Sequence, residues 1–170
     1  MGRCVVMGVA GSGKTSVGIA LAPLVGAKYV DGDDLHPRAN IDKMAKGIPL
    51  SDDDRAPWLD LVGARLGATP GPVLIGCSAL KRRYRDRIRS AAKLPVLFLH
   101  LAGARKVIAE RMATRKGHFM PASLLDSQFA ALEPIEPDEI GFSIDIDQPL
   151  ERIVEQGAER LRQATEWGGQ

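Results

Sequence analysis

Cysteine is scarce and aromatic residues are few. The 170-residue chain has two cysteines, and Phe, Trp and Tyr together make up 5% of it. Cys4 and Cys77 lie far apart, each inside an apolar run. That is neither a disulfide framework nor a Cys-x-x-Cys metal knuckle. Buried free thiols in a reducing cytosol, and so a cytoplasmic protein, are the expectation. Neither sign of charge dominates. Twenty-three Lys and Arg against 21 Asp and Glu leave a net +2, which gives no general reason to expect nucleic acid as a partner. No stretch approaches the ~20 apolar residues of a membrane span, and the run at 95–101 is interrupted by His100. The opening residues lack a signal-peptide layout, and Val6 stands where a myristoylation pattern needs Ser or Thr. A chain of this length buries roughly 70% of its unfolded surface, enough for one core without staples.

Short apolar runs alternate with longer helical patterns. Strands are expected at 3–7, 28–30, 72–76, 96–101 and 142–146. Helices are expected at 14–24, from Pro37 to Gly47, from a Ser51 cap through Leu66, at 80–91 and 104–114, from Pro121 through Leu132, and from Pro149 onward. The stretch 133–139, with two prolines and four acids, reads as a surface loop. This alternation predicts an α/β fold: a five-stranded parallel sheet flanked by helices. Ligands bind outside the carboxyl ends of the strands in such sheets. Gly8, Asp31, Gly76, Ala102 and Asp147 mark those ends.

Gly8-Val9-Ala10-Gly11-Ser12-Gly13-Lys14-Thr15 matches the G-x-x-x-x-G-K-[ST] phosphate loop, with a strand before it and a helix after. Its glycines let backbone N–H groups turn toward phosphate oxygens, and the helix adds its positive end. Residues Gly8 through Ser16 are thus the candidate ATP cradle. Lys14 is expected on the β- and γ-phosphates, and the Thr15 hydroxyl on Mg²⁺. A guanine-reading Asn-Lys-x-Asp motif is missing, for the one asparagine is Asn40 in Asn40-Ile41-Asp42-Lys43. The strand at 72–76 ends in Gly76-Cys77 without an acid, so the second metal anchor is sought at Asp31. Asp31-Gly32-Asp33-Asp34-Leu35-His36-Pro37 crowds carboxylates at a strand end, which a cation or substrate would offset. One carboxylate can orient the metal's waters, and another can accept the proton of an attacking hydroxyl. We assign these to Asp31 and Asp33.

Together these segments resemble gluconate kinase. The likeness runs through Asn40, Lys43 and Met44, then Gly47-Ile48-Pro49-Leu50-Ser51-Asp52-Asp53-Asp54-Arg55 with Pro57-Trp58-Leu59. It continues in Cys77-Ser78-Ala79-Leu80-Lys81, Arg115-Lys116-Gly117-His118-Phe119, Ser127-Gln128-Phe129 and Asp145-Ile146-Asp147-Gln148-Pro149-Leu150. It spans nearly the whole chain. What it implies is a single P-loop kinase domain over 1–170 of the nucleoside-monophosphate-kinase-like fold. A substrate-binding helical insertion would lie at about 34–69 and a mobile lid at about 111–121. The implied reaction is ATP- and Mg²⁺-dependent phosphorylation of D-gluconate, with no nucleic acid or membrane partner. Whether the protein is a homodimer stays open.

A polyhydroxylated carboxylate needs cations for its carboxylate and short polar groups for its hydroxyls. Lys81, Arg85, Arg55 and Arg38 are the candidate clamp, with Asp33 and His36 beside them. Lys81 and Arg85 are expected one helical turn apart. By similarity to related kinases, Arg111 stacks on adenine opposite Pro149, and Arg115 closes on the transferring phosphoryl group. His118 is either a substrate contact or a lid surface residue. A kinase for another small acid such as shikimate, or a slow nucleotide-hydrolysing regulatory module, remains an alternative reading.

Overall fold

A computed structural model describes residues 2–114, 122–164 and Trp167. Five strands, β1 (Arg3–Met7), β2 (Lys28–Asp31), β3 (Val73–Gly76), β4 (Leu97–Ala102) and β5 (Gly141–Asp145), form one sheet. All pairings are parallel, in the order β2-β3-β1-β4-β5. The helices are α1 (Lys14–Leu24), α2 (Arg38–Ala45), α3 (Asp52–Ala68), α4 (Arg82–Ala92), α5 (Arg105–Ala113), α6 (Ala122–Ala131) and α7 (Leu150–Gln163). None of them is long and apolar enough to cross a membrane.

Central strand β1 explains the layering. Cys4 and Val6 point to a core shared with Leu21 of α1 and Ile153, Ala158 and Leu161 of α7. Val5 and Met7 point to a second core with Trp58 and Val62 of α3 and Ile88 of α4. A strand covered on both faces reads as a continuous apolar run, which is the pattern of Cys4-Val5-Val6-Met7. The sheet order reverses at β1, with β3 on one side and β4 on the other. The crevice at its carboxyl end lies at that switch point.

Two local differences from expectation have physical causes. The acidic segment after β2 is not an open turn. Gly32–Leu35 coils into a short 3₁₀ helix whose N-cap is Asp31, with the Asp31 carboxylate accepting from the Asp33 amide at 2.9 Å. The helix expected from residue 80 begins at Arg82. Ala79 takes a left-handed backbone (φ 45°), and the Leu80 carbonyl accepts from the Glu133 amide at 2.8 Å.

That displaced start changes Arg85. Its side chain is fully buried and forms a two-pronged pair with Glu139 at 2.8 and 3.0 Å. It also donates to the carbonyls of Ala79, Leu80, Glu133 and Pro134. The assignment of Arg85 to a substrate clamp is therefore corrected: its donors are consumed inside the protein. The 133–139 segment is likewise not wholly surface, since Glu139 is 9% exposed. Burial by itself would raise the Glu139 pKa. Hydrogen bonds from Arg85, the Glu136 amide and Arg89 outweigh it and hold the carboxyl well below the ordinary 4.5. Because the folded pKa is depressed, the stabilisation is present above pH 4.5 and is lost as pH falls through the lower folded value.

Replacing Arg85 with Ala takes the two-pronged partner from the buried Glu139 carboxylate and leaves it hydrogen-bonded only to Arg89 and the Glu136 amide. Urea unfolding at pH 7 should show a loss of about 3–5 kcal/mol. A loss under ~1 kcal/mol would mean that the pair is not structural.

Candidate active site

The phosphate loop begins where β1 ends. Gly8 has φ 155°, and a side chain there would meet the Ser12 hydroxyl at 2.6 Å. Gly11 and Gly13 have φ 80° and 96°, left-handed values that favour glycine. A Cβ on Gly11 would strike Met112 of α5 at 2.6 Å. The loop thus needs glycine both to turn and to admit its neighbours. Gly13 is the N-cap of α1, so the helix's first amides face the loop. Lys14 folds back across the cradle, its ammonium donating to the carbonyls of Gly8 (2.9 Å) and Val9 (3.1 Å). Ser12 is buried, and its hydroxyl has no partner among the described residues. This cradle has the geometry that accepts phosphate oxygens.

Beside it lies a cleft of about 180 Å³ that collects Lys14, Thr15, Asp31 and Asp33 with Tyr29, Ser78 and Gln128. Asp31 reaches it because β2 is in register with β3, Asp31 opposite Gly76. Behind the carboxylates, the Trp58 indole donates to the Gly32 carbonyl at 2.8 Å. The His36 ring stacks on Trp58 at 4.1 Å. Buried Asn40 holds His36 in turn, its amide lying 3.2 Å from Nδ1 and also donating to the Asp54 carbonyl at 2.9 Å. Burial lowers the His36 pKa, against the pull of Asp33, so the imidazole is neutral at pH 7. With Nδ1 accepting from Asn40, Nε2 carries the proton and faces the Asp33 carboxylate at 3.9 Å. The protein surrounding Asp33, then the neighbouring Asp31 charge, push its pKa up, while His36 and Lys14 oppose. Its side chain is 81% exposed, so water screens these effects. Cys77 also lines this cleft, but burial pushes its thiol up to about 12 and leaves it inert.

A larger cleft of about 540 Å³ shares Ser78 and Gln128 with the first. It holds Lys81 and Arg55, together with Met44, Pro49 and Ser127 of α6. Both cations lie over the Tyr84 ring, at 5.5 and 5.7 Å. Both face Asp52 at the start of α3, at 3.5 and 4.0 Å. Asp52 also accepts from the Tyr84 hydroxyl and Arg83. The structure therefore brings Lys81 and Arg55 together and leaves Arg85 out. Arg38 lies on the exposed face of α2, paired with Asp42 at 3.2 Å, and lines neither cleft. His36 supports the acidic turn from behind.

On the far side of the glycine loop, Gly11, Ser12, Gly13 and Ser16 line a cleft of about 220 Å³ with Arg111 and Leu150. The Arg111 guanidinium donates to the Ile146 carbonyl and lies 3.5 Å from the Gln148 carbonyl. These belong to the loop leading to Pro149, the N-cap of α7. Arg115 and His118, and most of the expected lid at 111–121, fall outside the described residues.

Sequence reasoning gave no role to Tyr29, Ser78 or Gln128. The last two stand in Cys77-Ser78-Ala79 and Ser127-Gln128-Phe129, distinctive segments outside the phosphate loop, and that was the available signal.

No family profile matches the chain. It is 48% identical over 156 residues to the thermosensitive gluconokinase of Escherichia coli K12, covering 89% of this chain and 83% of that one. It is 50% identical over 139 residues to the gluconokinase of Gluconobacter oxydans, covering 79% and 77%. A crystal structure of a gluconokinase from Sinorhizobium meliloti superposes with a TM-score of 0.83 at 49% identity, covering 95% and 94%.

Trp58→Phe removes the donor to the Gly32 carbonyl while keeping an aromatic ring. Thermal or urea unfolding should show a loss of about 0.5–1.5 kcal/mol, the net worth of one hydrogen bond. An unchanged stability would show that the acidic turn does not depend on this bond.

Proposed function

The chain belongs to the gluconokinase family, and from that premise we propose which of its residues carry the ATP-dependent phosphorylation of D-gluconate to 6-phospho-D-gluconate. One observation supports the assignment above the others. The cleft with Lys14, Thr15, Asp31 and Asp33 adjoins the cleft with Lys81 and Arg55, the two sharing Ser78 and Gln128 in their walls. A phosphoryl donor in the first and an anionic polyol in the second would meet at the carboxylates.

In this reading, the amides of Gly8 through Ser16 cradle the ATP phosphates and Lys14 places a point charge on the transferring group. Arg111 and the Pro149 turn flank the adenine end. Lys81 and Arg55 hold the gluconate carboxylate in exchange for Asp52. Asp33 accepts the proton of the substrate's terminal hydroxyl. The new O–P bond forms at that oxygen as the bond between the γ-phosphorus and the β–γ bridging oxygen breaks, and ADP leaves with the electron pair. Arg115 would add charge to the transition state from the lid, and His118 would reach the substrate from the same segment.

Thr15 and Asp31 fit Mg²⁺. One hydroxyl and one carboxylate in a polar cleft beside the phosphate cradle match an ion that keeps several waters and takes most other ligands from phosphates. When bound, the ion would neutralise charge on the β- and γ-phosphate oxygens.

ADP release should require gluconate and should not be supported by shikimate. Lys14→Ala should abolish it without changing the fold seen by circular dichroism. ADP release that ignores every sugar acid would indicate a nucleotide-hydrolysing regulatory module. Residual activity of Lys14→Ala within tenfold of wild type, only ~1.4 kcal/mol, would remove Lys14 from its role.

A further inference from the structure

Gln128 contacts both halves of the site. It sits on α6, half-buried, and its side-chain carbonyl accepts from the Ala10 backbone amide at 2.6 Å. Ala10 lies within the glycine loop, whose amides serve phosphate oxygens. The Gln128 side chain thus occupies one of the loop amides that a phosphate oxygen could otherwise take. It also lines the larger cleft, together with Ser127, Lys81 and Arg55.

Resting on the reading above, we infer that Gln128 is a positioning residue that couples nucleotide occupancy to the gluconate site. One amide hydrogen cannot serve an amide oxygen and a phosphate oxygen equally well, and the two acceptors repel. Arrival of ATP therefore displaces the Gln128 amide from Ala10. The larger cleft is the other space that the side chain lines. There its carbonyl accepts from, and its NH₂ donates to, the hydroxyls of a polyol. A polyol with alternating donors and acceptors suits an amide better than a charged group. Nucleotide binding then completes the gluconate site, and the reciprocal must hold: gluconate, by drawing Gln128 from Ala10, strengthens nucleotide binding. Because Leu125 packs α6 into the core, the displaced side chain moves on an anchored helix.

Titration calorimetry tests this with a nonhydrolysable ATP analogue and gluconate, each alone and each in the presence of the other. In the wild type, the analogue should tighten gluconate about fivefold or more, within the usual range of site-to-site coupling. Gln128→Ala should reduce that factor to within twofold of unity. It should leave gluconate affinity without nucleotide within about threefold of wild type, and analogue affinity without gluconate equal or tighter. Gln128→Glu keeps an acceptor on Ala10 but adds a charge facing the phosphates, and should weaken the analogue at least tenfold. Both variants should keep the wild-type melting midpoint in the absence of ligand. Retention of the coupling factor in Gln128→Ala would overturn the inference. So would weaker analogue binding in Gln128→Ala, which would make Gln128 a direct phosphate ligand. Gluconate that binds neither wild-type state would instead refute the substrate assignment.

Discussion

The contact on which the site depends is the approach of Gly32 to the Gly76 carbonyl. A Cβ on Gly32 would lie 2.3 Å from that oxygen, a distance no side chain tolerates. Glycine there lets the end of β2 close on the end of β3, and the carboxylates on either side of it enter the cleft beside Lys14 and Thr15. The same residue is gripped from the other side by the Trp58 indole. Stacking of His36 on Trp58 and the bridge of Asn40 from His36 to Asp54 carry the constraint into α2 and α3. Asp54 is itself held by Lys43 and by the Ser51 capping box, which lower its pKa to about 2. Helices α2 and α3 and the carboxylates flanking Gly32 are therefore one connected unit.

Arginines and lysines near the site divide by how firmly their charge is spoken for. Arg85 is fully buried, doubly bonded to Glu139, and surrounded by four carbonyls. Extracting it would leave a buried carboxylate, so it cannot exchange partners cheaply. Lys81 and Arg55 face Asp52 at 3.5 and 4.0 Å, loose distances on partly exposed side chains. Such pairs contribute little to stability and can trade one carboxylate for another. Asp52 thus offsets part of the positive charge of this pocket, and in the proposed reading the substrate carboxylate would take its place.

The fold and the phosphate loop were legible because their signals are local. Alternating apolar runs and the spacing of Gly8, Gly13, Lys14 and Thr15 need no knowledge of distant residues. The acidic turn was legible as chemistry but not as shape, since its 3₁₀ form depends on Asp31 capping Asp33 and on Gly32 packing against a different strand. Arg85 was misread for a nonlocal reason. Its spacing from Lys81 suggested one helix face, but Lys81 is the N-cap of α4, with extended backbone angles. The counter-ion lies 54 residues further on, in a segment whose prolines and acids look like surface. Gln128 was hidden in the same way, because its partner is a backbone amide 118 residues away.

The central claim is the division of labour between the two carboxylates flanking Gly32. Asp33→Asn and Asp31→Asn, compared by initial rates across a magnesium titration, test it most directly. Asp33→Asn should lower kcat by roughly 10²–10⁴ with an unchanged magnesium requirement, as loss of a proton acceptor does. Asp31→Asn should raise the magnesium concentration needed for half-maximal rate. A larger kcat loss in Asp31→Asn, accompanied by an altered magnesium dependence in Asp33→Asn, would exchange the two roles and contradict the account.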